Sequence, residues 1–257
     1  MKNKFFDSPL VGMATILGIA LLLCTLIGTY TVYRVKSLGN QVSVTGSAEM
    51  LITSDTAKWI NTLSLDVGVE ELAQGTETLR KQGESVQNYL IEKGVLAEEI
   101  TAAPLQITEN CNHRDNVVWT ENGQKCTSGN IAGYTLTSQI TIESPKVQLI
   151  TTLAKNVPEH FLFQDILFTT KALEYYYSKL DDLKLEMLEK ATENAKDRAQ
   201  RIAESTGAKV GHLQSASVGV FQIIQPNSTD FADYGRYDTS TIEKKIVSVV
   251  RAEFSLK

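Results

Sequence analysis

The chain has 257 residues, of which 42% are hydrophobic and 21% charged, with 25 basic and 30 acidic side chains. This length and composition are typical of a protein with a packed core. Without residues 1–36, 21 basic and 29 acidic residues remain, a net charge of −8. That balance argues against the basic surface that nucleic-acid binding requires, so we expect no nucleic-acid partner.

A run of 24 uncharged residues, from Leu10 to Tyr33, is the first feature along the chain. As a helix it would extend about 36 Å, enough to cross a hydrocarbon core of about 30 Å. A cleaved signal peptide would have an apolar region of only about 7–15 residues and a small-residue cleavage site. Cys24 follows Leu23 rather than the small residue of a lipoprotein signal. We therefore predict an uncleaved transmembrane anchor over residues 10–33, preceded by a short cytoplasmic tail of residues 1–9.

The orientation of this anchor depends on the cysteines. Two lysines precede the run and two basic residues, Arg34 and Lys36, follow it, so the positive-inside rule does not decide. Outside the span, Cys111 and Cys126 form a pair separated by 14 residues of a polar stretch. A disulfide closing such a loop needs an oxidising compartment. We predict a single-pass protein of the inner (cytoplasmic) membrane with its C-terminal domain in the periplasm or outside the cell.

The same cysteines leave two chemical alternatives open. They could form a redox-active thiol pair, or they could bind zinc or copper together with His113. The spacing does not match a recognised zinc motif, and a fourth ligand, His160 or Asp115, would have to come from elsewhere. The chain has no Gly-x-Ser-x-Gly elbow and no glycine-rich phosphate loop, so we expect neither catalysis nor a cofactor.

The hydrophobic pattern of the remaining chain alternates between a period of two and a period near 3.6. After a linker at residues 34–40, this pattern predicts a domain over residues 41–257. Because strands and helices alternate irregularly and hairpins connect some strands, we expect an α+β fold, with antiparallel or mixed sheet layers packed against three helices, one of them long. The predicted strands lie near residues 42–44, 57–69, 101–108, 134–142, 161–168, 213–224 and 246–256, and the helices near residues 72–90, 145–157 and 173–205.

Four residues in loop regions are candidates for contact with a partner: Trp119, Tyr234, Arg236 and Tyr237. Trp119 lies between the two cysteines, and the others lie in a polar loop at residues 225–245. Loops carry function more often than frameworks do, and aromatic residues and arginine are enriched at interfaces. The alternative is that these aromatic rings cover the core of their own domain.

Several segments together resemble the SIMPL domain, a family that includes YggE-like proteins and the periplasmic immunogenic proteins. The segments are residues 42–49 (VSVTGSAE) with 55–57 (DTA), Gly133-Tyr134, residues 191–199 (ATENAKDRA) and residues 207–211 (GAKVG). These segments, in this order and at this spacing, extend over nearly all of residues 41–257. The resemblance implies a mixed α/β fold outside the cytoplasm and a role in envelope or oxidative-stress defence. It supplies no catalytic residues.

These observations favour a non-catalytic envelope protein that is anchored in the membrane and acts by binding. We expect it to form a homo-oligomer. The alternative is a redox or metal-binding protein that uses the loop between Cys111 and Cys126.

Overall fold

A computed structural model of the protein describes residues 9–38, 40–113, 116–121, 123–127, 130–228 and 234–257. These residues form four α-helices, two short 3₁₀ helices and twelve β-strands, which confirms the predicted α+β class. The elements in chain order are α1 (Pro9–Leu38), β1 (Gln41–Thr53), β2 (Thr56–Gly68), α2 (Leu72–Glu92), β3 (Ile100–Ala102), β4 (Gln106–Cys111), β5 (Val117–Thr120), β6 (Gly123–Cys126), β7 (Ile131–Ser144), α3 (Val147–Leu162), β8 (Leu167–Tyr176), α4 (Leu180–Ser205), β9 (Val210–Val218), β10 (Gln222–Ile224), β11 (Arg236–Tyr237) and β12 (Glu243–Leu256).

The chain divides into two compact units. Unit 1 consists of residues 1–49, 184–221 and 247–257, and unit 2 of residues 50–183 and 222–246. The strands β1 and β12 and the helix α4 each contribute residues to both units, because the unit boundaries fall within them.

Unit 2 is built on a five-stranded sheet in the order β3-β7-β2-β8, with β4 also paired to β7. The longest pairing is antiparallel, between β2 and β7, from Ala57 opposite Ser144 to Gly68 opposite Gly133. Helices α2 and α3 pack on one face of this sheet. The apolar residues that recur at helical spacing in α2 and α3 meet the alternate residues of β2, β7 and β8 in one core. Its fully buried members include Trp59, Leu63, Val86, Leu90, Leu136, Ile140, Ile142, Ile150 and Phe161.

The polar side chain of Asn61 lies inside this core. Asn61 has the same parity along β2 as Trp59 and Leu63, and its side chain is fully buried. The indole Nε1–H of Trp59 donates to Thr170 Oγ1 at 3.0 Å, and that hydroxyl donates to Asn61 Oδ1 at 3.2 Å. Asn61 therefore continues the buried face of β2. A hydroxyl on β8 satisfies its carbonyl oxygen, whereas its amide Nδ2 is buried with no hydrogen-bond partner among the described residues.

Unit 1 places the long helix α4 directly against β1. Gly46 lies so close to α4 that an added Cβ would be 2.2 Å from the Ala191 carbonyl oxygen and 2.3 Å from the Ala195 nitrogen. The neighbouring backbone is also bonded to the helix, since the Ser47 N–H donates to Asn194 Oδ1 at 3.1 Å and Arg198 Nη1 donates to the Thr45 carbonyl at 2.7 Å. The small side chains of the alanines spaced along α4 thus permit this close approach. The buried residues of this unit include Val44, Ala195, Ala199, Ala252 and Phe254, which pack together in one cluster.

The N-terminal helix α1 belongs to a different environment from the rest. Among the described residues it is the one helix long and apolar enough to cross a membrane, and the candidate span is Gly12–Val32. The side chains of this span are exposed rather than packed against the protein. Its length and composition match the predicted anchor, although a signal sequence near the N-terminus would look the same. The first eight residues of the predicted cytoplasmic tail lie outside the described residues.

Several predicted boundaries were wrong. The first strand, predicted near residues 42–44, continues to Thr53, and the strand predicted at residues 213–224 is two strands, β9 and β10. The helix predicted at residues 145–157 begins at Val147 and continues to Leu162.

The single strand near residues 101–108 is two strands, β3 and β4, separated at Pro104, whose missing N–H prevents continuous pairing. The strand predicted at residues 161–168 begins only at Leu167, because Phe161 belongs to the buried stripe of α3. The long helix begins at Leu180 rather than near residue 173, since β8 continues to Tyr176. The C-terminal ends of the helices predicted near residues 72–90 and 173–205 agree with α2 and α4, which are followed by Gly94 and Gly207 with φ angles of 98° and 74°.

Candidate functional site

A small hairpin, not the irregular loop expected from its polar sequence, fills most of the stretch between the two cysteines. Its strands β5 and β6 pair antiparallel, with Val117 opposite Cys126 and Trp119 opposite Gln124. The Cys111–Cys126 disulfide, with the two Cα atoms 5.5 Å apart, joins the end of β6 to the end of β4. The predicted disulfide is therefore present.

Glu109, on β4, provides a second connection to the hairpin. Its carboxylate oxygen Oε2 accepts a hydrogen bond from the Cys126 N–H at 2.8 Å, and its carbonyl accepts one from Gln124 Nε2 at 3.1 Å. These bonds hold β6 beside β4 at the edge of the sheet, next to the disulfide. A hairpin of this size would be marginal alone, so the covalent and hydrogen-bonded connections to β4 stabilise it.

The hairpin exposes apolar side chains to solvent. Trp119 is 77% exposed, and Val118 and Ile107 are exposed by about half. Because neighbouring strand residues face opposite sides, Val118 and Trp119 present apolar surface on both faces of the hairpin. Trp119 does not cover the core of its own domain. An exposed tryptophan on a covalently fixed hairpin can enter a pocket of a partner at little entropic cost.

The structure does not support the metal and redox alternatives for this loop. Both sulfurs are in the disulfide and are not thiolate ligands. The described residues contain no cluster of three His, Cys, Asp or Glu side chains that could hold a metal ion. His160 stacks on Tyr89 with ring centroids 4.3 Å apart and accepts or donates one bond with Gln164. Asp115, the other proposed ligand, lies outside the described residues.

The second predicted contact region, around Tyr234, Arg236 and Tyr237, lies on and before the short strand β11. Tyr234 is 90% and Tyr237 42% exposed, and the Tyr237 ring lies 6.2 Å from that of Tyr176. The sequence therefore identified three exposed aromatic residues, and no ring contact among the described residues joins Trp119 to the two tyrosines.

A buried ion pair holds the end of this region, and sequence reasoning missed it. Lys244 is only 1% exposed, and its Nζ lies 3.5 Å from Asp238 Oδ2 and also donates to the Thr241 carbonyl. Partial burial raises the pKa of Asp238, but hydrogen bonds from Thr241 and Ser240 and the charge of Lys244 outweigh burial and lower it to about 2. Burial of Lys244 lowers its pKa more than the pairing with Asp238 raises it. No spacing signal marks this pair, because both residues resemble ordinary loop charges.

A groove with a volume of about 430 Å³ lies between α2, the end of β3, the segment that follows it and β7. Its floor is apolar, and Arg80 stands at its rim, paired with Glu77 and Glu84. No buried polar side chain converges on the groove to define a ligand. The lining residues are Thr76, Leu79, Arg80, Gly83, Glu84, Gln87, Ala102, Ala103, Leu105, Ser138 and Ile140.

Comparison with known proteins agrees with the architecture. The family model of SIMPL, described as "Protein of unknown function", matches residues 42–254. No curated protein matches the chain. The matched range includes the contact between Gly46 and α4 and the Gly133-Tyr134 pair, where an added Cβ on Gly133 would lie 2.4 Å from the Val67 carbonyl. The chain belongs to the SIMPL family.

Proposed function

We propose that this protein is a single-pass inner-membrane protein whose extracytoplasmic SIMPL domain associates non-catalytically with a second copy of itself through the disulfide-closed hairpin. The observation that carries the proposal is the 77% exposure of Trp119 on a hairpin fastened by the disulfide and by Glu109. Tryptophan is the residue type most enriched among those that dominate binding energy. Keeping it exposed would bring a monomer no stabilisation.

The matched test compares Trp119→Ala with Leu185→Ala in the full chain. Leu185 is also largely exposed, at 70%, but lies on α4 and not on the hairpin. Loss of a central tryptophan costs about 2 kcal/mol or more, so the dissociation constant of the dimer should rise at least about 30-fold. Leu185→Ala should leave it unchanged. Light scattering after size exclusion in mild detergent measures both; a monomeric wild type, or a Trp119→Ala variant that associates normally, would refute the proposal.

The membrane location has its own test. Support comes from the apolar length of α1 and from the Cys111–Cys126 disulfide, which is favoured outside the cytoplasm. The protein should remain in the membrane fraction after carbonate washing, and protein isolated without reductant should yield a linked Cys111–Cys126 peptide pair. Recovery of a soluble form that begins near residue 35 to 40 would contradict the anchor.

The family resemblance also carries the hypothesis of a role in envelope or oxidative-stress defence. Cells lacking the protein should then be more sensitive to peroxide, and a Trp119→Ala chain should fail to restore resistance. Full restoration of peroxide resistance by Trp119→Ala would show that the stress role does not depend on the hairpin.

A further inference from the structure

One end of unit 1 is brought next to the start of β1 by backbone hydrogen bonds. The Leu256 N–H donates to the Asn40 carbonyl at 2.8 Å. Lys209 and Lys257 exchange two backbone bonds, each 2.8 Å long. The turn that follows α4 leads directly into Lys209. We call this end, formed by Asn40, residues 205–210 and Lys257, the rim of unit 1.

The distance of the rim from the predicted membrane follows from chain length. Six helical residues separate Val32, the end of the candidate span, from Leu38, and they extend about 9 Å. Gly39 and Asn40 add at most about 7 Å. The start of β1 therefore lies within about 16 Å of the hydrocarbon edge, and the headgroup layer takes up roughly 5–8 Å of that distance.

The charges on the rim suit a phospholipid surface. Lys209 and Lys257 are both exposed, whereas the chain beyond residue 36 carries a net charge of −8. Beside Lys209 is a shallow groove of about 470 Å³, lined by Gln200, Glu204, Gly207, Ala208, Lys209 and Val210. Ile202, in the last turn of α4, is 47% exposed. Two exposed lysines on hydrogen-bonded neighbouring backbone, with a groove beside Lys209, form a surface that attracts anionic headgroups, and an exposed apolar side chain at the end of α4 suits the interface.

We propose that the rim binds the phosphate groups of the lipids around α1, with Lys209 and Lys257 as the contacting cations; the proposal rests on the proposed membrane span. Glu204 is the acidic side chain of the groove and would weaken the contact rather than make it. The short connection keeps the lysines near the headgroups continuously, so even weak individual contacts hold the rim in place. Unit 1 thus rests on the bilayer instead of moving freely above it.

The test uses the full chain in nanodiscs, with Cys24→Ala as background and the disulfide kept oxidised. An environment-sensitive fluorophore is placed by Ser205→Cys at the rim or by Ser217→Cys on β9. Ser217 lies seven residues beyond Val210 along that strand, about 24 Å away. Both serines are exposed, so the two labels form a matched pair. A nitroxide attached to the lipid headgroup quenches only fluorophores close to the bilayer surface.

With phosphatidylglycerol in the nanodisc, the label at 205 should be quenched several-fold more than the label at 217. The double variant Lys209→Glu, Lys257→Glu should remove this difference, and Lys209→Arg, Lys257→Arg should preserve it. Glu204→Gln should preserve or increase it. Equal quenching of the two labels in the wild-type domain, or full quenching at 205 in the glutamate double variant, would overturn the proposal. A chain that does not stay in the nanodisc at all would instead refute the membrane span.

Discussion

The contact between Gly46 and α4 makes a sharp prediction about stability. In Gly46→Ala, the three atoms nearest the new methyl group would all be backbone atoms: the Ala191 carbonyl oxygen at 2.2 Å, and the Ala195 nitrogen and Cα at 2.3 and 2.7 Å. Rotation of a side chain cannot relieve these contacts. The helix must move away from β1, and that movement also stretches the hydrogen bond from the Ser47 N–H to Asn194.

The expected magnitude is at the upper end of the overpacking range. Inserting a methyl group into a packed site costs about 1–3 kcal/mol, and more where the backbone itself must shift. We therefore expect Gly46→Ala to lower the free energy of unfolding by about 3 kcal/mol. Gly83→Ala is the matched control. Gly83 lies within α2, where an added Cβ meets nothing within 4 Å, and alanine is favoured over glycine in a helix interior by about 1 kcal/mol. The same chemical change should therefore have opposite signs at the two positions.

The assay must report on unit 1, which contains neither of the two tryptophans, Trp59 and Trp119. Hydrogen exchange of the amides around Ala195 and in the last strand, measured on the detergent-solubilised chain, reports the opening of this unit residue by residue. Gly46→Ala should accelerate exchange there, while Gly83→Ala should slow exchange in α2. If the amides of Gly46→Ala exchanged as slowly as those of the wild type, α4 would not lie in contact with β1 at Gly46.

Three further predictions concern packing, the disulfide and acid. Ala195→Leu, at a fully buried site, should destabilise unit 1 by about 1–3 kcal/mol, whereas Glu193→Leu on the exposed side should change little; equal melting temperatures would mean that the buried face is misplaced. Reduction of the disulfide should remove about 3 kcal/mol of constraint on the unfolded chain, and limited proteolysis should then cut first between residues 112 and 125. Because the pKa of Asp238 is lowered to about 2 from 3.8, its contribution of about 2 kcal/mol is present above pH 4 and is lost as the pH falls towards 2. In Asp238→Asn, the free energy of unfolding measured with urea should depend less on pH between pH 4 and pH 2. The same pH dependence as in the wild type would contradict this prediction.

The sequence predicted elements well where one period dominated. The strand at residues 57–69 and the helix at residues 72–90 correspond closely to β2 and α2, since each has a single buried face. It failed where a short apolar run fits either period. Phe161 and Phe168 lie in one such run, yet Phe161 completes the helical stripe of α3 and packs edge-on against Tyr89 and Phe168. Only the tertiary contact decides between helix and strand there.

The candidate site was predictable in part, for a similar reason. Cys111 and Cys126 are the only cysteines outside the span, so their pairing followed from counting. Glu109 was not identifiable, because its partner is the backbone of a residue 17 positions away. The pairing of Asp238 with Lys244 depends on burial, which no local pattern of charges reveals. Contact of Trp119, Tyr234, Arg236 and Tyr237 with a partner stays a prediction.

The close fit of Gly46 between the alanines of α4 bears on how far knowledge of one family member extends to another. Within the segments that carry the resemblance in this unit, Val44, Gly46, Ala191, Ala195 and Ala199 meet inside it, and substitution at any of these disturbs packing before it disturbs any exposed surface. Two proteins can therefore share every one of these residues and have unrelated surfaces. A ligand or partner discovered for one relative is best sought here by comparing exposed residues, beginning with the hairpin closed by Cys111 and Cys126.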